Sequence, residues 1–130
     1  MKTKFFISLL FILSCLFTGN AHSQSEISDY KDLIGRWLRP DGGYVLVINN
    51  IDEEGQIDAT YLQPRNIHVS QAEMITEEDE EYIYVELQDT GYPGSNYKLK
   101  YDAETDRLVG VYYHAVLKQK FDIYFVRKER

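Results

Sequence analysis

Leu33-Ile-Gly-Arg-Trp37 near the start of the chain and Phe121-Asp-Ile-Tyr-Phe-Val-Arg127 near its end decide how the sequence between them folds. Gly35-Arg36-Trp37 opens the first of a series of strand patterns, and Arg127 closes the last. In a strand, side chains alternate between two faces, so Arg127 shares a face with Phe121, Ile123 and Phe125, an apolar and therefore inward one. A guanidinium on that face needs a partner. Stacking on an indole is a favourable solution, worth ~0.5–2 kcal/mol. If the first strand meets the last antiparallel, Trp37 and Arg127 come together at one end of a barrel, so the pairing predicts closure as well as β content.

Between these two stretches the chain alternates strand patterns with turn signals and shows no helical periodicity longer than a turn or two. The patterns predict strands near 33–39, 43–51, 56–62, 67–75, 81–88, 95–102, 107–115 and 119–128. The turns carry their own chemistry in Pro40-Asp-Gly-Gly43, Glu54-Gly55, Gln63-Pro-Arg-Asn66, the acidic run 77–80, Gly91-Tyr-Pro-Gly94 and Glu104-Thr-Asp106. Short connections favour antiparallel neighbours. About eight strands in an open sheet would leave two long exposed edges, which a barrel removes. The expected fold is all-β, an antiparallel up-and-down barrel of about eight strands, with a β-sandwich as the alternative.

The ends and the composition bound the rest. Basic Met1-Lys-Thr-Lys4, the largely apolar run Phe5–Leu16 and the small, polar Thr18–Gln24 follow the order of a secretory signal, with Ala21 and Ser23 at the cleavage positions. The apolar run is shorter than the ~20 residues a spanning helix needs. Residues 1–23 are thus read as a signal peptide, 24–31 as a flexible lead-in and 32–130 as one barrel domain, exported to a periplasm or secreted, with no transmembrane helix in the mature chain. Ile12-Leu-Ser-Cys15 resembles a bacterial lipoprotein cleavage box, so the alternative is an anchor through Cys15, the single cysteine. Loss of Lys2 and Lys4, the only charges in 1–23, takes the formal net charge from −7 to −9. Such a surface repels phosphate backbones and argues against nucleic acid.

The pair Gly35-x-Trp37 and Arg127 resembles the calycin barrels, the lipocalins and avidins. The stretch from Leu33-Ile-Gly-Arg-Trp37 to Gly55-Gln-Ile-Asp-Ala-Thr-Tyr61 is most similar to the avidin pattern, although the further tryptophans that cap biotin there are missing. The resemblance implies a barrel, a small-ligand tendency and self-association, and no particular ligand.

All eleven tyrosines lie beyond the signal, where their hydroxyls can find partners at a wet cavity or an interface. Tyr61 has an inward register and is followed by the polar corner that holds Arg65; Tyr84 and Glu86 share a face, and so do Tyr112 and His114, with Gly110 leaving room beside them. Tyr61, Arg65, Tyr84, Tyr112 and His114 form the expected ligand-binding set, aromatic-walled with a cationic tip, and Gly35, Trp37 and Arg127 the barrel-closing set. Tyr44–Ile48 and Leu108–Val116 are apolar on both faces, which points to a homo-oligomer contact. Histidines 68 and 114 lack metal-ligand spacing, and 102–106 lacks the glycine and glutamate of a calcium loop, so no metal or other cofactor is expected. Nucleophile elbows and phosphate loops are missing too. The leading expectation is an exported, non-catalytic protein that binds an unknown small molecule. A filled barrel acting as a protein-interaction module of the envelope comes second, and a small isomerase-type enzyme third.

Overall fold

The computed structural model describes residues 30–88 and 94–129. The signal at 1–23, Cys15 and most of the lead-in at 24–31 lie outside the described residues. A 3-10 helix, Tyr30–Leu33, precedes nine strands: β1 (Gly35–Arg39), β2 (Tyr44–Ile51), β3 (Ile57–Gln63), β4 (Arg65–Ile67), β5 (Val69–Glu77), β6 (Glu80–Leu87), β7 (Ser95–Asp102), β8 (Arg107–His114) and β9 (Gln119–Glu129). They form one antiparallel sheet in the order β4-β3-β2-β1-β9-β8-β7-β6-β5, curled into a nearly closed up-and-down barrel.

The expected pairing of the first strand with the last is present. Trp37 lies opposite Arg127 and Leu38 opposite Val126, with a register shift between Arg36 and Trp37. Beside that irregularity Gly35 has φ 139°, a conformation an L side chain rarely adopts. The Arg127 guanidinium sits 4.2 Å from the centre of the Trp37 ring. Its Nε and Nη2 donate to the two carboxylate oxygens of Asp106 at 2.8 and 3.0 Å, and Nη1 donates to the Ile34 carbonyl at 3.2 Å. Trp37 Nε1 donates to the Leu33 carbonyl at 2.9 Å. Together these bonds hold the 3-10 helix across one end of the barrel and bury Leu33 under it. Residues 33 and 34 therefore cap the cylinder instead of extending the first strand.

The remaining seam lies elsewhere. The segment expected as one strand over 67–75 divides at His68: β4 folds back on β3 around Pro64, while β5 pairs with β6 from Val69 onward. This division accounts for nine strands where about eight were expected. Among the described residues, the turn just before β3 meets β5 through a bridge between Gln56 and Glu73 and a 2.7 Å bond from the Met74 N–H to the Gly55 carbonyl.

Inward alternation fills the interior with Trp37, Leu46, Ile48, Ile83, Val85, Leu87, Tyr97, Leu99, Leu108 and Phe125, each at most 1% exposed. Gly110 does not open space beside Tyr112. A Cβ there would lie 1.9 Å from the Lys98 carbonyl oxygen of β7, where Gly110 pairs with Leu99. Of the two strands read as apolar on both sides, β8 presents an exposed apolar pair, Val109 with Tyr124 of β9 at 44% and 42% exposed, whereas Val45 of β2, opposite Leu38, is only 8% exposed.

Two stability outcomes follow. Arg127→Ala leaves the indole uncovered and Asp106 without its cation, and is expected to cost about 1–3 kcal/mol in urea unfolding, discounted for the half-exposed acid. Gly110→Ala forces β7 away from β8 and should cost at least ~2–3 kcal/mol, at the severe end of single substitutions. A Gly110→Ala protein with an unchanged midpoint would contradict the close approach.

Candidate functional site

The end of the barrel opposite the 3-10 helix is built around a second arginine on β1. Arg39 is two residues beyond Trp37 and so points to the same inward face; its pattern on β1 is buried, as are Gly35 and Trp37. Only 9% of Arg39 is exposed. Its Nη1 donates to the Tyr97 hydroxyl at 2.9 Å, and its Nε and Nη2 donate to the two oxygens of Asp41 at 2.6 and 3.0 Å. Asp41 belongs to the Pro40–Gly43 turn, closed by a 2.9 Å bond from the Gly43 N–H to the Arg39 carbonyl. The hydrogen bond from Arg39 holds the Asp41 carboxyl below the usual aspartate range.

Aromatic rings surround this guanidinium. Its central carbon lies 5.2 Å from the centre of Tyr44, 5.9 Å from Tyr97 and 5.1 Å from Tyr112, within cation–π range. Tyr44 stacks on Tyr61 at 5.8 Å and Tyr97 on Tyr112 at 4.7 Å. The Tyr61 and Tyr97 hydroxyls are hydrogen-bonded to each other at 2.6 Å. Tyr97 is the hub: it is fully buried, its hydroxyl accepts the hydrogen bond from Arg39 Nη1, and its ring packs edge-on against Phe125. Burial pushes its phenol up to about 12, with the bonds from Tyr61 and Arg39 acting the other way. Burial, then neighbouring Tyr97, pushes the Tyr61 phenol up as well.

The five residues expected to bind a ligand therefore divide. Tyr61 and Tyr112 face the interior, 2% and 7% exposed, and help build the box around Arg39. His114 joins them at the rim, edge-on to Tyr112 at 6.0 Å, while its Nδ1 accepts the Leu117 N–H at 3.2 Å and shapes the β8–β9 hairpin. Arg65 is exposed on β4 and sits beyond the Pro64 corner. Tyr84 is on the outer side of β6, because Ile83, Val85 and Leu87 occupy the buried side; across the strands it faces Glu73 and Lys98. The cation of the site is thus Arg39 in place of Arg65, and Tyr97 and Tyr44 take the position expected of Tyr84. The signal for Arg39 was its parity with Trp37, the same argument that placed Arg127.

The β8–β9 hairpin completes the rim. Ser95, fully buried, accepts the Ala115 N–H at 3.0 Å and ties the hairpin to the start of β7. Phe121 stacks on Tyr112 at 6.4 Å and is 39% exposed, and Val116 and Leu117 project at the tip. Among the described residues no group of three or more His, Cys, Asp or Glu side chains is placed to hold a metal ion, and no helix is long and apolar enough to cross a membrane. Comparison of the chain with protein-family models, with curated proteins and with solved structures returned no match in any of the three.

The tyrosine box sets an alkaline limit. The Tyr97 phenol ionises higher in the folded chain than the ordinary 10.0; its contribution is complete below pH 10.0 and is lost as pH rises through about 12. Spectrophotometric titration should show exposed tyrosines ionising first and a late class that appears only as the β-sheet circular dichroism collapses. A single early phase with the fold intact would contradict the buried pair.

Proposed function

We propose that this chain is an exported barrel that binds a small organic molecule at the Arg39 end, without transforming it. The observation that carries this reading is the Arg39 guanidinium, nine-tenths buried among Tyr44, Tyr97 and Tyr112, whose counter-ion Asp41 is 57% exposed. Burying a charge is costly, and a core needs apolar volume at that point instead. A site that orients a ligand explains the arrangement: rings supply contact area and a convergent cation supplies direction. The filled interior supports a shallow site on the rim. The resemblance to calycin barrels supports a small ligand, and the signal-like residues 1–23 support export, with Cys15 lipidation as the alternative anchor.

A second reading has its own observation. Val109 and Tyr124, both more than 40% exposed and directly paired, lie on the outer face near Leu38 and Val126. Under that reading a second copy or another envelope protein covers this face, and the filled barrel is a scaffold. The isomerase-type reading is the least supported, because His114 Nδ1 serves the hairpin backbone.

Titration of a fragment library into labelled protein, followed by amide chemical shifts, separates the first two. Ligand binding at the rim is expected to move Arg39, Tyr44, Tyr112 and His114 and to leave Val109 and Tyr124 in place. Shifts confined to the Val109–Tyr124 face, or none with any fragment, would overturn the binding reading.

A further inference from the structure

We propose that Asp41 is a built-in stand-in for the ligand, and that the molecule taken at the rim is a compact monocarboxylate with a flat apolar body, whose carboxylate displaces Asp41 from Arg39. This inference rests on the binding reading above and names its ligand class.

Three features of the arginine and its partners converge on that chemistry. The Nε–Nη2 edge of Arg39 is engaged by both oxygens of one carboxylate, at 2.6 and 3.0 Å. This fork-to-fork geometry matches planar carboxylates. The Nη1 edge is not available in the same way, since it donates to Tyr97 and fixes the guanidinium plane from within the barrel. A ligand therefore reaches the Nε–Nη2 edge alone, the one Asp41 now covers. Asp41 is the partner placed to leave it: its side chain is 57% exposed against 11% for Arg39, so water can take up its carboxylate, whereas Arg39 without an anion would stand buried and uncompensated.

The body of the ligand is constrained by what surrounds that edge. The interior beneath is occupied by Tyr97, Tyr61 and Phe125, all at most 2% exposed, so a long chain has nowhere to enter. Outward, the ring series continues from Tyr112 to the half-exposed Phe121, a surface that takes a flat apolar group by stacking. Charge limits the ligand further. The formal net charge of the chain is −7, so polyanions such as polyphosphates are repelled at long range while a single carboxylate is tolerated. The proposed ligand is short, singly charged and planar.

The experiment uses phenylacetate as probe, with 2-phenylethanol (no carboxylate), phenethylamine (opposite charge), acetate (no body) and octanoate (no ring) as comparisons, on wild-type protein, Asp41→Asn and Arg39→Lys. Binding is read by amide shifts and calorimetry. Asp41→Asn removes the competing charge and should tighten phenylacetate about tenfold. Arg39→Lys keeps the charge but loses the fork and should weaken it about tenfold or more. The alcohol and amine should bind far more weakly, and octanoate more weakly than phenylacetate. If phenylacetate and phenylethanol bind the rim alike and Asp41→Asn changes neither, the displacement inference is overturned while rim binding stands. If no compound moves the rim of either wild-type protein or Asp41→Asn, both fall. Should Arg39→Lys fail to fold, the exposed-site Asp41→Asn comparison decides by itself, in either direction.

Discussion

The stacking of Arg127 on Trp37 is the contact on which the rest of the architecture depends. It forms where β1 and β9 pair, so it joins the two ends of the domain and turns a meander with two free edges into a cylinder with one short seam. The same guanidinium reaches back to carbonyl oxygens of the 3-10 helix segment and across to Asp106, which also accepts the Tyr101 hydroxyl at 2.9 Å. One cation therefore satisfies a helix end, a hairpin turn and an aromatic face at once. Removing it would uncover the indole face and take the guanidinium donors from Asp106 and from the Ile34 carbonyl, which is costly where water cannot replace them.

β1 carries a second arginine by the same alternation, and the two ends of the barrel differ because of what each guanidinium meets. At the helix end Arg127 finds a half-exposed acid and an indole, and is locked by backbone acceptors. At the other end Arg39 finds the rings of Tyr44, Tyr97 and Tyr112, the Tyr97 hydroxyl, itself bonded to Tyr61, and a turn aspartate whose side chain is more than half exposed. The first arrangement closes a barrel. The second holds a buried cation against a half-exposed turn aspartate. That contrast, within a strand of five residues, separates the structural end of the molecule from its candidate site.

Much of the fold was legible in the sequence because its signals were local and repeated. Period-two alternation and turn residues located the strands to within a few residues, and the parity of Arg127 with Phe125 placed it inside. The break at His68 was not legible, since it reflects β4 choosing β3 and β5 choosing β6, a tertiary choice in an otherwise continuous strand pattern. The candidate site was half legible. The inward register of Tyr61 and the shared face of Tyr112 and His114 agree with the structure, whereas Tyr84 lies opposite the apolar Ile83, Val85 and Leu87, so the same parity rule puts it outside and not in the aromatic set. Arg39 ends the strand pattern 33–39 just before Pro40-Asp-Gly-Gly43, and only its parity with Trp37 marks it as inward. Gly110 was read as space, when it marks the place where two backbones nearly touch.

The most direct measurement of the account is the side-chain proton spectrum of Arg127 in the folded protein, with nuclear Overhauser contacts from the Trp37 indole. A guanidinium 4.2 Å above the ring places the arginine's methylenes and Nε–H in the ring current. Upfield-shifted Arg127 side-chain resonances with cross-peaks to the indole, alongside cross-strand contacts from Leu38 to Val126, are the predicted result. Arg127 resonances at random-coil positions with no indole contact would mean that the two ends do not meet, and the barrel and the rim built on it would have to be abandoned.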